Sequence, residues 1–303
     1  MSLVVEHRTA ERSATQRISA RWRDYGQLVK MRLTFLVVFS TLMGYLAAAG
    51  FDAQGWPLTA LLVGGFLTVG SANCINQIIE RHTDRLMRRT ENRPLAQDRM
   101  PLGEATVLAL ISGLAGVFIL GHFLNPLSGL LSLVSLLLYA FAYTPMKKVS
   151  PIAVYIGAIP GALPPLIGYV AFTGSVDGLG LTIFLLQFIW QFPHFWAIAW
   201  LLDDDYRRAG YKLLPLRTGK NKASAVSIVL STALLLPLTL YAGMTDILGW
   251  GTVSLLMLAN LAFLGQSIRL LQKMEDASAK SLMFGSFAYL PIIQMILVFN
   301  QLI

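Results

Sequence analysis

The chain has 303 residues, of which 55% are hydrophobic and 13% charged, against about 25% charged in an average soluble domain. This excludes a soluble enzyme, a secreted disulfide scaffold and a disordered regulator, and leaves an all-α polytopic membrane protein. The formal net charge of +8 reads as basic residues gathered on one membrane side rather than as a nucleic-acid surface, and Cys74, the single cysteine, has no internal partner.

Residues 1–32 form a basic segment without the apolar stretch of a secretory signal. Trp22, Tyr25 and Leu28 predict an amphipathic helix lying at the membrane interface. Nine apolar runs follow, near 33–50, 57–79, 105–123, 127–143, 152–172, 179–201, 223–242, 247–268 and 281–302. Each is close to the about 20 residues that span a bilayer, so 33–303 reads as one intramembrane domain. The fifth run carries Pro160, Pro164 and Pro165 with Gly157, Gly161 and Gly168. It predicts a kink or a close helix contact, with neighbouring helices satisfying the freed carbonyls.

Charge fixes an orientation. Seven Lys/Arg precede the first run, and the rest follow runs two, four, six and eight; together they are all 24 in the chain. The loops on the other side carry only Asp52, Asp177 and Asp246. The positive-inside rule then predicts a cytoplasmic N-terminus and a C-terminus on the opposite side; the membrane expected is a bacterial-type cytoplasmic one. Two long charged loops, after runs two and six, suggest two four-helix halves that place their loops over one central cavity.

The first charged loop grows out of the second run. Asn76, Glu80 and Asp84 are spaced i, i+4, i+8, so on a helix they form one stripe with steps of about 6 Å. Oxygen ligands stacked beside arginines suit a magnesium-bridged polyphosphate, since Mg²⁺ takes carboxylates together with substrate phosphates and arginine grips phosphate in a fork. The stripe alone also fits a solvated helix end, with the acids paired to Arg81, Arg85 or Arg88.

The sixth run contains Trp190-Gln191-Phe192-Pro193-His194-Phe195 and ends on Asp203-Asp204-Asp205. Three consecutive aspartates need a cation, open water, or an answer from Arg207 and Arg208. His194 lies eleven residues before Asp205, about three helical turns, so the two can share a face. A histidine about 16 Å inside a span faces a partner helix, a cofactor or a proton path rather than lipid.

The run Asn76-x3-Glu80-x3-Asp84-x2-Met87-x-Arg89-Thr90-x2-Arg93-Pro94-Leu95 resembles the first signature of the UbiA-type intramembrane prenyltransferases. Its tail, with Tyr143-Thr144-Pro145-Met146-Lys147-Lys148, Gly161-Ala162-Leu163-Pro164-Pro165 and Asp204-Asp205-Tyr206-x2-Ala209-Gly210, resembles the haem-modifying branch of that family. Two positions depart from the wider superfamily: Glu80 stands where aspartate is usual, and Leu201 lies four before Asp205.

The resemblance implies nine helices around a central cavity and transfer of farnesyl from farnesyl diphosphate to a vinyl group of haem b. The product, haem O, is a step towards haem A for terminal oxidases, with a downstream haem A synthase as a candidate partner. It implies Mg²⁺ on Glu80, Asp84 and Asp205, with Asn76 and Asp204 as further candidates. Arg89, Arg93, Lys147 and Lys148 would neutralise the diphosphate, and His194 would serve the haem or the final hydration. Two other readings stand beside it. A quinone-precursor prenyltransferase of the same superfamily is opposed by the motif tail and by the Pro-His-Phe run. An inverted-repeat transporter is opposed by charges that sit at one face rather than at the midplane.

Overall fold

The computed structural model describes residues 19–53, 55–215 and 219–300, with the backbone alone at Phe51. The predicted basic residues Arg8, Arg12, Arg17 and Arg217, and the last three residues of the chain, lie outside these. Among the described residues, nine helices are long and apolar enough to cross a membrane. They are α1 (Met31–Ala49), α2 (Gly55–Asp84), α3 (Leu102–Phe123), α4 (Pro126–Met146), α5 (Ala153–Thr173), α6 (Gly178–Leu201), α7 (Lys222–Met244), α8 (Trp250–Lys273) and α9 (Asp276–Val298). Each of the nine predicted runs falls within, or largely overlaps, one of them.

Consecutive helices pack side by side, and α9 returns onto α1 to close the bundle. Two further contacts, α1 with α5 and α6 with α9, draw it together. The α1–α5 contact depends on missing side chains. A Cβ at Gly44 would overlap the Pro165 carbonyl, and one at Gly168 would overlap the Thr41 carbonyl, so the two backbones touch directly.

The prolines of α5 leave carbonyls without an intrahelical donor, because proline has no N–H for the carbonyl four residues before it. Pro164 frees the carbonyl of Pro160, which accepts from Ser135 Oγ on α4 at 3.2 Å. Pro165 frees that of Gly161, which accepts from Gln187 Nε2 on α6 at 2.9 Å. Polar side chains inside the bundle thus answer two of the three prolines, one from each side, in the manner the sequence leads one to expect.

Residues 19–28 are helical. Trp22 is exposed and Leu28 fully buried. This helix does not stand apart from the spans. Asp24 pairs with Arg99 at 2.9 Å in the loop after α2, and Tyr25 and Arg21 bond to Glu104 at the start of α3. Gln77 Nε2 on α2 donates to the carbonyls of Gln27 and Leu28, at 2.8 and 2.7 Å, and so ties down the last turn of this helix. Asn73 Nδ2 bonds to Val29 O and Thr34 Oγ1. The polar stripe by which α2 leaves the apolar layer is what seats the turn at 29–30.

Candidate active site

Helix α2 runs unbroken for 30 residues to Asp84, which puts Asn76, Glu80 and Asp84 on one helical stripe as their spacing predicts. All three side chains are buried, so a merely solvated helix end is not what they form. Their partners differ from those the local sequence offers. Glu80 pairs with Lys147 from the end of α4. Asp84 pairs with Arg93, whose Nη1 lies 2.9 and 2.8 Å from the two carboxylate oxygens. Arg85 turns away to Asp98 at 2.7 Å.

The motif tail folds back over the helix end. Thr90 Oγ1 donates to the Asp84 carbonyl at 2.9 Å and so caps α2. Met87 and Leu95 are buried, and Leu95 packs with Leu28, Cys74 and Met100. Those anchors hold Arg93 over Asp84. Arg89 is directed to the second motif, 3.5 Å from the Tyr206 hydroxyl, with its guanidinium carbon 5.7 Å from the Tyr206 ring centre.

A cation that the sequence reading missed completes the cluster. Lys30 Nζ donates to Asn76 Oδ1 at 2.7 Å, while Asn76 Nδ2 donates to Thr144 Oγ1 at 3.0 Å. Lys30 adopts a left-handed backbone, φ 49°, at the tight turn into α1. Burial, and then the like charges of Arg93 and Lys147, hold its ammonium pKa down at about 7. Arg93 and Lys147 thus pair with the two buried carboxylates, and Lys30, bound to Asn76 beside them, is a third basic group whose charged form an anionic ligand would favour.

Tyr211 was also missed. Its hydroxyl donates to Glu80 Oε1 at 2.8 Å from the loop after the second motif. Burial, and then the Glu80 charge, drive its phenol upward, so it stays protonated. Lys147 sits over two rings, 4.9 Å from the Tyr143 centre and 5.4 Å from that of Tyr211, as a cation over aromatic faces. A π-helical turn over Leu138–Tyr143 immediately precedes Thr144 and Lys147, the kind of local widening found at functional sites. Neither Lys30 nor Tyr211 carries a spacing signal: Lys30 is one basic residue beside a span, and Tyr211 lies in an unpatterned loop.

The second motif departs from the reading in two respects. Helix α6 ends at Leu201 and Leu202 breaks the helical run, so Asp203–Arg208 form a separate short helix. The expectation that His194 and Asp205 share one helical face is corrected accordingly. The helix dipole explains the break. Three aspartates would sit at the negative end of a continued α6, whereas the new helix has them in its first turn, with Arg207 and Arg208 in its last. Asp203 pairs with Arg207 at 2.9 Å and Asp205 with Arg208, while Asp204 is exposed. Lys148 is exposed too. The structure thus brings together Asn76, Glu80, Asp84, Arg93 and Lys147, and it leaves Asp204, Asp205 and Lys148 outside their direct contacts. Arg89 reaches the other motif through Tyr206.

His194 is buried against α9, with Nδ1 2.7 Å from Ser286 Oγ and its ring stacked on Trp190 at 4.6 Å. Trp190 Nε1 donates to the Ser286 carbonyl at 3.1 Å. In these bonds His194 serves the α6–α9 contact and not the charged cluster.

Among the described residues no three His, Cys, Asp or Glu side chains gather as a ready-made metal site. The donors present are nonetheless hard oxygens: two carboxylates one helical turn apart and buried beside cations. They fit Mg²⁺ whose remaining ligands are substrate phosphates and water, the usual manner of magnesium binding.

The profile of the UbiA prenyltransferase family matches residues 37–288. The chain is 42% identical to the protoheme IX farnesyltransferase of Cytophaga hutchinsonii, over 94% of this chain and 100% of that one. It is 40% identical to the protein of the same name from Christiangramia forsetii, over 92% of this chain and 94% of that one. Two solved structures share the fold. One is a digeranylgeranylglyceryl phosphate synthase (TM-score 0.78, 18% identity, 93% of this chain and 98% of that one). The other is a UbiA homologue from Archaeoglobus fulgidus bound to GPP and Mg²⁺ (TM-score 0.66, 16% identity, 90% of this chain and 99% of that one).

Proposed function

Because the chain belongs to the UbiA prenyltransferase family, we propose that it transfers the farnesyl group of farnesyl diphosphate to a vinyl group of haem b, giving haem O. The observation that carries this reading is the cation-rich cluster of Lys30, Arg93 and Lys147 around Glu80 and Asp84, in a chain whose relatives over nearly their full length bear the name protoheme IX farnesyltransferase.

Bond cleavage moves an electron pair onto the leaving diphosphate, and the cluster is charged to receive it. Lys30, Arg93 and Lys147 stabilise the developing negative charge, a preorganised electrostatic contribution. Glu80 and Asp84 would hold Mg²⁺, which would supply Lewis-acid neutralisation of the diphosphate. Asp205 is the further carboxylate we assign to it, reached by release of Arg208, with Asp204 beside it. Asn76 acts by orienting Lys30, since its one acceptor oxygen is turned onto that ammonium. Arg89, against Tyr206, and the exposed Lys148 add further positive charge. The vinyl carbon of haem b then attacks the allylic cation, the carbon next to the porphyrin takes up the charge, and water adds there with loss of a proton. The apolar helices keep water from the allylic cation until the carbon–carbon bond has formed. We assign His194 to the acceptor: Ser286 takes Nδ1, which leaves Nε2 for the haem or the water. The charged face is the cytoplasmic one by the positive-inside rule, and a haem A synthase is the enzyme expected to consume the product.

The test is direct. Purified protein is incubated with haem b, farnesyl diphosphate and Mg²⁺, and the haem is analysed by mass spectrometry. A haem heavier by one farnesyl and one hydroxyl group supports the reading; unmodified haem alongside a prenylated aromatic acid, when one is supplied, would replace it.

A further inference from the structure

Glu80 receives two donors on one atom. The Tyr211 hydroxyl donates to Oε1 at 2.8 Å, and the Lys147 ammonium pairs with the same oxygen. Both bonds shown to Glu80 leave Oε2 on the other side of the carboxylate. The Tyr211 ring is buried and forms one of the two aromatic faces over which Lys147 lies. One side chain thus touches both members of the buried ion pair. It comes from the loop that begins right after the aspartate-bearing helix, 131 residues along the chain from Glu80.

We propose that Tyr211 is a positioning residue for Glu80, fixing the carboxylate through Oε1 so that Oε2 is presented to the metal–diphosphate. This rests on the diphosphate reading above. A carboxylate with both oxygens free to turn binds a metal less well than one oriented by a second hydrogen bond, and loss of such outer partners costs about 10–100-fold in metal affinity or activity.

Tyr211→Phe keeps the ring, its packing and the contact with Lys147, and removes only the donor. Mn²⁺ binding to the detergent-purified chain with inorganic pyrophosphate is followed by electron paramagnetic resonance, with the melting temperature measured on the same samples. The expected result is a Mn²⁺ affinity about tenfold weaker at an unchanged melting temperature. Unaltered Mn²⁺ affinity in Tyr211→Phe, or a lowered melting temperature with unaltered affinity, would reduce Tyr211 to a loop anchor and overturn the proposal while leaving the diphosphate reading intact. If the parent chain binds no Mn²⁺ with pyrophosphate, both fall. Because the probe is inorganic pyrophosphate, the outcome does not depend on which acceptor is prenylated.

Discussion

Lys30, at the last position before α1, reaches 46 residues along the chain to Asn76 on α2 and donates to its side-chain oxygen at 2.7 Å. The N-terminal segment is therefore part of the charged cluster. Lys30→Ala should weaken farnesyl diphosphate binding by at least about tenfold, the loss of one charge-assisted bond. Lys30→Arg should recover part of it. Isothermal titration with a non-hydrolysable farnesyl diphosphate analogue checks this; equal affinity in Lys30→Ala would remove Lys30 from the site.

The acids of α2 are expected to matter for turnover more than for folding. Asp84 is bound through both oxygens to Arg93, so Asp84→Ala also leaves a buried guanidinium without its partner. Activity should fall by about a hundredfold or more if Asp84 holds the metal. Asp84→Asn, which keeps the shape, should be nearly as inactive with a melting temperature closer to the parent's. Near-normal turnover of Asp84→Asn at saturating Mg²⁺ would take it out of the metal's ligand set.

What the sequence made legible was local. Nine spans follow from apolar length, and the Asn76–Glu80–Asp84 stripe follows from a spacing of four on a helix. The proline-rich α5 could be read as needing help from neighbours, though not that Ser135 and Gln187 would give it. The partners of the site were not legible, because they are set by tertiary packing. Lys147 and Arg93, not the nearby Arg81, Arg85 or Arg88, take the carboxylates, and Lys30 and Tyr211 arrive from elements far along the chain. The break at Leu202 was readable in principle: three aspartates are misplaced at a helix C-terminus and well placed at an N-terminus.

His194 supports two roles that can be separated. Ser286→Ala removes its Nδ1 partner and should lower stability by about 1–3 kcal/mol, the cost of a buried group left unsatisfied, with diphosphate binding unchanged. His194→Ala should lower the melting temperature similarly and, in addition, weaken haem binding in a spectrophotometric titration. If both variants lose stability equally and haem affinity does not move in His194→Ala, its role is confined to the α6–α9 contact.

Asp177 offers a prediction away from the charged cluster, at the opposite end of α6. Its carboxylate caps that helix by accepting from Gly180 N at 3.0 Å, and it accepts from the Tyr169 hydroxyl at 2.8 and 2.7 Å. Burial pushes its pKa up, but the Gly180 N–H, the Tyr169 hydroxyl and the Leu179 N–H together outweigh that and hold it below the ordinary carboxylate value. A carboxyl depressed in the folded state contributes stability above its unfolded pKa of about 4 and loses that contribution as pH falls through the folded value. Asp177→Ala should therefore lower stability by about 0.5–2 kcal/mol at neutral pH, the usual loss for a helix N-cap. The gap between variant and parent should narrow on acidification below about pH 4. Turnover per folded molecule should stay at the parent level, because the 24 residues of α6 put about 36 Å of helix between this cap and the second motif. Melting temperatures of the two proteins in the same detergent, followed from pH 7 to pH 3, check the sign. A gap that widens with acid would mean that Asp177 is held in its protonated form, and the capping assignment would fail.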